Sequence, residues 1–360
     1  MSGSISTFAG PMAENYLIQS LESQMNTLTT EVSSGTVANP AGAMGANAPF
    51  LYQLQSDASQ QQALQTSTTT AGNQLSAIQD ALSGMATALQ PIATGVISST
   101  ATTPEGQSAL GEQASSAMSQ ILTLLNTQYA GSSLFGGDAN GAPPMVSATA
   151  PGGPQDAVNA VLSAAVAANG GQPLSSSDID NLLNGPDGLA SIFNNTNSTA
   201  ALNYNNSFYT GSTDGQPTTV MIGLNQTVQY NVSANQPAFS DLLQGLSMLS
   251  MLSAPSSQLD STAKSALVTQ AGSLINQAQD ELTSTQGQVG TVQAQLQQVS
   301  DTEQSAYNAT TAQITTLEQA NVAGDSTKLS TLQTQLEASY EVTAQISQLS
   351  LVHYLPQLMA

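Results

Sequence analysis

The sequence predicts a mainly α protein: a long antiparallel helical hairpin or coiled-coil bundle built from both termini. An inserted outer domain, mixed α/β or β-rich, interrupts it. Three observations predict this. Apolar residues recur at alternating steps of three and four near both ends of the chain, the spacing of a heptad seam. Those seams vanish between about Gly136 and Gln236, where Gly, Pro, Asn and Ser dominate. Within that middle, Thr218 to Ile222 and Thr227 to Val232 read as two short strands joined by Gly223-Leu224-Asn225-Gln226, a hairpin. The expected organisation is a terminal helix and loop over 1–45, one arm of a helical rod over 46–137, the inserted domain over 138–237, the second arm over 238–320 and a last helix over 321–360.

In chain order, the first seam is Ile18, Leu21, Met25, Leu28 and Val32, stopped by Ser33-Ser34-Gly35. A Gly/Ala/Asn/Pro loop runs from there to about Pro49. A second helix is expected from about Leu51 to Leu89, with Leu75, Ile78, Leu82, Met85 and Leu89 on one stripe and Pro91 ending or kinking it. Thr103-Pro104-Glu105 reads as a helix start, with Thr as N-cap and Pro in the first position. Its seam is Leu110, Ala114, Ala117, Ile121 and Leu124, closing at Tyr129-Ala130-Gly131. After the middle region, Phe239 to Leu252 returns to helical spacing. Ile275, Ala278, Leu282, Val289, Val292, Leu296 and Val299 then form a seam in which polar Thr285 holds one position. It continues through Ala306, Ile314 and Leu317. An interruption is expected at Val322-Ala323-Gly324-Asp325, before a last helix with Leu329, Leu332, Leu336, Ile346 and Leu349, limited by Pro356.

The composition argues against most catalytic chemistry. There is no Cys, no Trp, a single His, His353, and the only basic side chains are Lys264 and Lys328. A Ser-His-Asp arrangement needs a His beside its nucleophile, and a zinc site needs several Cys or His ligands. A P-loop needs a Lys after its glycines, and neither lysine has that context. The expectation is a protein that is not an enzyme and has no cofactor. Only 7% of residues are charged and the formal charge is −21, so a shortage of bases rather than a surplus of acids sets the balance. That surface repels phosphate and anionic lipid, which speaks against nucleic-acid and membrane partners. The first ten residues lack the basic and apolar stretches of a cleaved signal.

Apolar seams at the very ends of a chain have little else within it to pack against, which suggests burial against other copies or partners. An ordinary bundle core is the bland reading of the same seams. Several stretches sharpen the choice. Leu21 to Gly35, ending Glu31-Val32-Ser33-Ser34-Gly35, resembles the first-helix ending of the flagellin family. Gly290-Thr291-Val292-Gln293-Ala294-Gln295-Leu296 is similar to the family's Gly-Ala-x-Gln-x-x-Leu stretch. The tail from Leu332 to Leu355 is similar to the family's last helix. Two further stretches, Leu124 to Gly137 and Tyr209 to Leu243, resemble the family's hook–filament junction members, the hook-associated proteins. The chain departs from the family at Asn39-Pro40-Ala41-Gly42, where relatives carry an acidic run, and at Thr36, Ala294 and Gln295, where they carry basic residues at or near the position. Assembly is therefore expected to lean on apolar seams and amide hydrogen bonds, and to be only weakly salt-sensitive.

The resemblance implies a structural subunit of the bacterial flagellum, a junction adaptor that polymerises through its terminal helices. The implied partners are other copies of itself, the neighbouring hook-associated protein, flagellin and an export chaperone. The implied route is secretion to the flagellum without a cleaved signal peptide. The assembly residues would be Ile18, Leu21, Met25, Leu28 and Val32 in the first helix, with Leu329, Leu332, Leu336, Tyr340, Ile346 and Leu349 in the last. For Tyr340 the residues alone favour a core position, with a subunit contact as the alternative. Two alternatives stay open: filament flagellin itself, and a flagellum-exported peptidoglycan-degrading enzyme whose carboxylates would be Asp178, Asp180 and Asp187. Asp138-Ala139-Asn140-Gly141 and Asp178-Ile179-Asp180-Asn181 resemble calcium loops only faintly, lacking the full spacing and the late Glu. Asn194, Asn197, Asn205, Asn225, Asn231 and Asn308 stand in Asn-x-Ser/Thr sequons within polar sequence.

Overall fold

The computed structural model describes residues 6–98, 102–137, 141–223 and 226–354, which fall into two compact units. One comprises 1–62 with 304–360, the other 63–303. The long helices α3 (Ala48–Ile97) and α10 (Ser261–Glu318) each contribute to both.

The terminal unit is built on α1 (Ser6–Ser34) packed along α11 (Val322–Tyr354). Gly35 ends α1 with φ +72°, the left-handed position that glycine adopts without a Cβ clash, and its N–H donates to the carbonyl of Glu31 at 2.8 Å. A short antiparallel bridge follows: Thr36 pairs with Gln319, Val37 N–H donates to Glu318 O at 2.8 Å and Ala320 N–H to Gly35 O at 3.0 Å. The expected loop contains a one-turn helix α2 (Pro40–Met44), capped by the side chain of Asn39 on Gly42 N–H at 3.0 Å. The break before the last helix spans 319–321, earlier than its expected place. Asn321 caps the new helix by accepting from Gly324 N–H, so Val322 to Asp325 form its first turn.

In the other unit, α4 (Pro104–Leu125) packs on α9 (Pro237–Ser250). Thr103 caps α4 as expected, its hydroxyl accepting from Gly106 N–H at 3.2 Å. Small residues permit two close approaches. A Cβ at Gly111 would lie 2.7 Å from the backbone nitrogen of Ser253, and one at Gly245 the same distance from the Ile275 side chain. The stripes of α3 and α10 supply the rest of the core: Leu75, Ile78, Leu82, Met85 and Leu89 belong to the same buried cluster as Ile275, Ala278, Leu282 and Val289. Thr285 is buried too, its hydroxyl donating to Glu281 O at 2.9 Å. Pro91 does not end α3, which runs on to Ile97. The ring lies on the exposed side, where water serves the carbonyl that loses its partner, while Ile92 remains buried. Lys264 is spent internally, its Nζ donating to the carbonyls of Leu252 at 2.9 Å and Ala254 at 2.6 Å. Burial there pulls its pKa down.

The inserted region is more helical than its composition suggests. It holds α5 (Pro154–Ala168), α6 (Ser176–Asn184), α7 (Leu189–Phe193) and the one-turn α8 (Tyr204–Ser207). Strands occur as two hairpins. β1 (Gln128–Tyr129) pairs with β2 (Ser132–Ser133) through Ala130 and Gly131, both at positive φ, so α4 ends at Leu125, short of the expected closure. β3 (Thr218–Gly223) pairs antiparallel with β4 (Gln226–Tyr230), as expected, although Leu224 and Asn225 at its turn lie outside the described residues.

Candidate assembly interface

The heptad seam of α1 turns toward α11. Ile18 and Leu21 are buried, and Met25, Leu28 and Val32 are half-buried. Opposite, Leu329, Leu332 and Leu336 are half-buried, whereas the side chains of Ile346 and Leu349, like Pro356, lie outside the described residues. Tyr340 is not a core residue. It is 49% exposed, and its hydroxyl donates to Glu22 Oε1 of α1 at 2.7 Å, a bond that raises the phenol's pKa. The seam thus pairs the two terminal helices with each other.

A second apolar surface, which the heptad count missed, remains uncovered. Met12 is 70% exposed and Tyr16 78%, one turn apart on α1, and Leu17 lies beside Tyr16 in sequence. Phe50, Tyr52, Val322 and Val342 are also exposed. Apart from Ile97 and Met221, every exposed large hydrophobic residue so described belongs to the terminal unit. Scattered apolar residues are ordinary on a surface, but this concentration on α1, α11 and the first turns of α3 is the pattern of an interface. The signal in the sequence was the aromatic pair outside the stripe, Tyr16 and Tyr52.

The two stretches that set the junction resemblance, 124–137 and 209–243, meet in space. Phe135 and Phe239 pack edge to face with centroids 5.8 Å apart. Ala234 N–H donates to Phe135 O at 2.8 Å and Ser212 N–H to Gly136 O at 3.0 Å. The Tyr209 hydroxyl reaches both Ser212 O and Ser233 Oγ at 2.8 Å.

The carboxylates singled out for catalysis are engaged otherwise. Asp178 closes the capping box of α6, accepting from Ser175 N–H and Oγ at 2.8 Å each. Asp187 accepts from the backbone and hydroxyl of Ser198, and Asp180 from Asn184 Nδ2 at 2.9 Å. Hydrogen bonds hold Asp178 and Asp187 below the ordinary aspartate range, the reverse of what a general acid needs. Both line a cleft of about 700 Å³ between α5 and the 174–202 segment. Among the described residues no group of three or more His, Cys, Asp or Glu is placed to hold a metal ion, and residues 138–140 of the first calcium-like loop lie outside them. Asn197, of the sequons, is buried and donates to Ser191 Oγ at 2.8 Å. Among the described residues, no helix is long and apolar enough to cross a membrane.

Fold and surface together define a class, a long-helix protein whose terminal unit carries uncovered apolar side chains. The N-terminal helical region of the bacterial flagellins matches residues 5–140, and the C-terminal helical region matches 273–355. The chain belongs to the flagellin family, whose members are structural and non-enzymatic and polymerise in the bacterial flagellum, an extracellular appendage. Among solved structures it is similar to one provisionally described as a flagellar hook-associated protein from Vibrio parahaemolyticus. That match has 12% identity and a TM-score of 0.40, covering 84% of this chain and 96% of that one. Among curated proteins, no sequence matches it significantly.

Proposed function

We propose that this flagellar subunit is the adaptor at the hook–filament junction, joining its neighbours through α1 and α11. The observation that carries this reading is the cluster around Phe135, Tyr209 and Phe239, because the two stretches that resemble the junction members form one packed element at the base of the insert. Its partners are further copies of itself, the adjoining hook-associated protein and flagellin, with an export chaperone before assembly. Export without a cleaved signal suits the chain: with no cysteine, there is no disulfide to undo before threading. The exposed Met12, Tyr16 and Tyr52 are the side chains for neighbouring subunits to cover, and the α1–α11 seam keeps the two arms paired.

Deletion of the gene tests the role. A junction adaptor leaves hooks without filaments in electron micrographs, while flagellin collects in the medium. If the chain is the filament flagellin, the hooks are equally bare but no flagellin is secreted. Normal filaments contradict both readings.

A further inference from the structure

We propose that the cleft between α5 and the 174–202 segment binds an aliphatic diamine or polyamine, with its ammonium groups on Asp178 and Asp187 and its methylene chain along the alanines of α5. The inference is independent of how the chain assembles. The cleft encloses about 700 Å³, within the range of small-molecule sites. On its α5 side Ala160, Ala164 and Ala168 line it, each one turn from the next. At 1.5 Å per residue they form a methyl stripe about 12 Å long.

The other side offers acceptors. Asp178 takes both bonds from Ser175 on Oδ2, and Asp187 takes both from Ser198 on Oδ1. The second oxygen of each carboxylate has no hydrogen-bond partner among the described residues. Asn169 spends its Nδ2 on the carbonyls of Gln172 at 3.3 Å and Pro173 at 3.2 Å, which leaves its Oδ1 as a further acceptor. The bonds to Ser175 and Ser198 hold both aspartates below their ordinary range, so both are ionised at neutral pH. Asp260 adds a further negative charge near Asp178. Among the described residues that line the cleft, none is basic.

Charge and shape together select the ligand. An anion is repelled by the two carboxylates. A neutral polyol leaves both charges uncompensated and gains little from a row of methyl groups. A calcium ion needs six to eight oxygens, and among the described residues no third His, Cys, Asp or Glu is placed to complete a metal site. An ammonium donates up to three hydrogen bonds and supplies the missing positive charge. Its aliphatic stem lies on apolar surface as a lysine stem does. Two carboxylates call for two ammonium groups, hence a diamine or a longer polyamine.

The test is titration calorimetry of the full chain with spermidine at physiological ionic strength, and a saturable one-to-one isotherm is expected. Asp178→Asn with Asp187→Asn keeps an oxygen for Ser175 and Ser198 but removes both charges. It should weaken spermidine by at least about tenfold with little change in the melting curve. Ala164→Leu, at an exposed position, fills the stripe and should weaken spermidine by about tenfold. This variant decides the matter if the aspartate pair fails to fold. Asp80→Asn with Asp280→Asn removes the same charge from exposed positions on α3 and α10 and should leave the affinity within about twofold. Propylamine, with a single ammonium, should bind at least about tenfold more weakly than spermidine. The proposal is overturned if spermidine does not saturate, or if Ala164→Leu or a folded aspartate-pair variant binds it like wild type. Equal weakening by the α3–α10 pair would mean diffuse attraction to an acidic chain and overturns it too, as does propylamine binding as tightly as spermidine.

Discussion

Replacing Phe239 with alanine is expected to destabilise the unit formed by residues 63–303 by about 3–5 kcal/mol. The ring is fully buried, so its removal leaves a cavity that the surrounding helices can only partly fill. It also ends the edge-to-face contact with Phe135, an arrangement worth about 0.5–1.5 kcal/mol beyond area alone. For a unit of this size the midpoint of thermal unfolding should fall by about ten degrees, followed by circular dichroism. Met221→Ser, at a residue 57% exposed, is the control and should stay within about 0.5 kcal/mol of wild type. A loss below about 1 kcal/mol for Phe239→Ala would mean that the two junction-like stretches are not packed as one element.

The double substitution Met12→Ser, Tyr16→Ser should leave folding unchanged and cripple assembly. Both side chains already stand in water in the free chain, at 70% and 78% exposure, so neither contributes to its core. If neighbouring subunits bury them, each contributes about 2 kcal/mol. Together the loss is about 4 kcal/mol, a rise on the order of a thousandfold in the concentration at which the protein assembles. Light scattering against concentration, with the melting curve as companion, separates the two effects. Normal assembly of the double variant would show that this face of α1 stays in solvent.

Much of the helical architecture was legible in the sequence because amphipathic spacing is local. The stripe on α3 was buried as read, that on α10 was buried at Ile275, Ala278, Leu282, Val289 and Leu296 but only half-buried at Val292, Val299, Ala306, Ile314 and Leu317, and Thr103-Pro104 began its helix. What escaped depended on tertiary context. Pro91 looked like a terminator, but on a solvent-facing side it costs one hydrogen bond that water replaces, and burial of Ile92 keeps the helix going. The Gly-, Pro- and Asn-rich middle hid four helices, because caps and turns dominate its composition while short helices such as α7 carry only one turn of apolar spacing. At the interface, heptad spacing found the seam that pairs α1 with α11. It could not say that this seam is satisfied within the chain, nor that the residues left for neighbours are Met12 and Tyr16 on another face.

If neighbouring subunits complete the burial of the terminal helices, α1 and α11 gain protection when the chain assembles. Amide hydrogen exchange across α1 and α11, compared between the dilute chain and the assembled form, tests it most directly. These amides should exchange within seconds to minutes in the free chain. They should become protected by at least about a hundredfold on assembly, while the amides of α9, whose helix is buried within its own unit, change little. Equal protection of α1 and α11 in both states would contradict it.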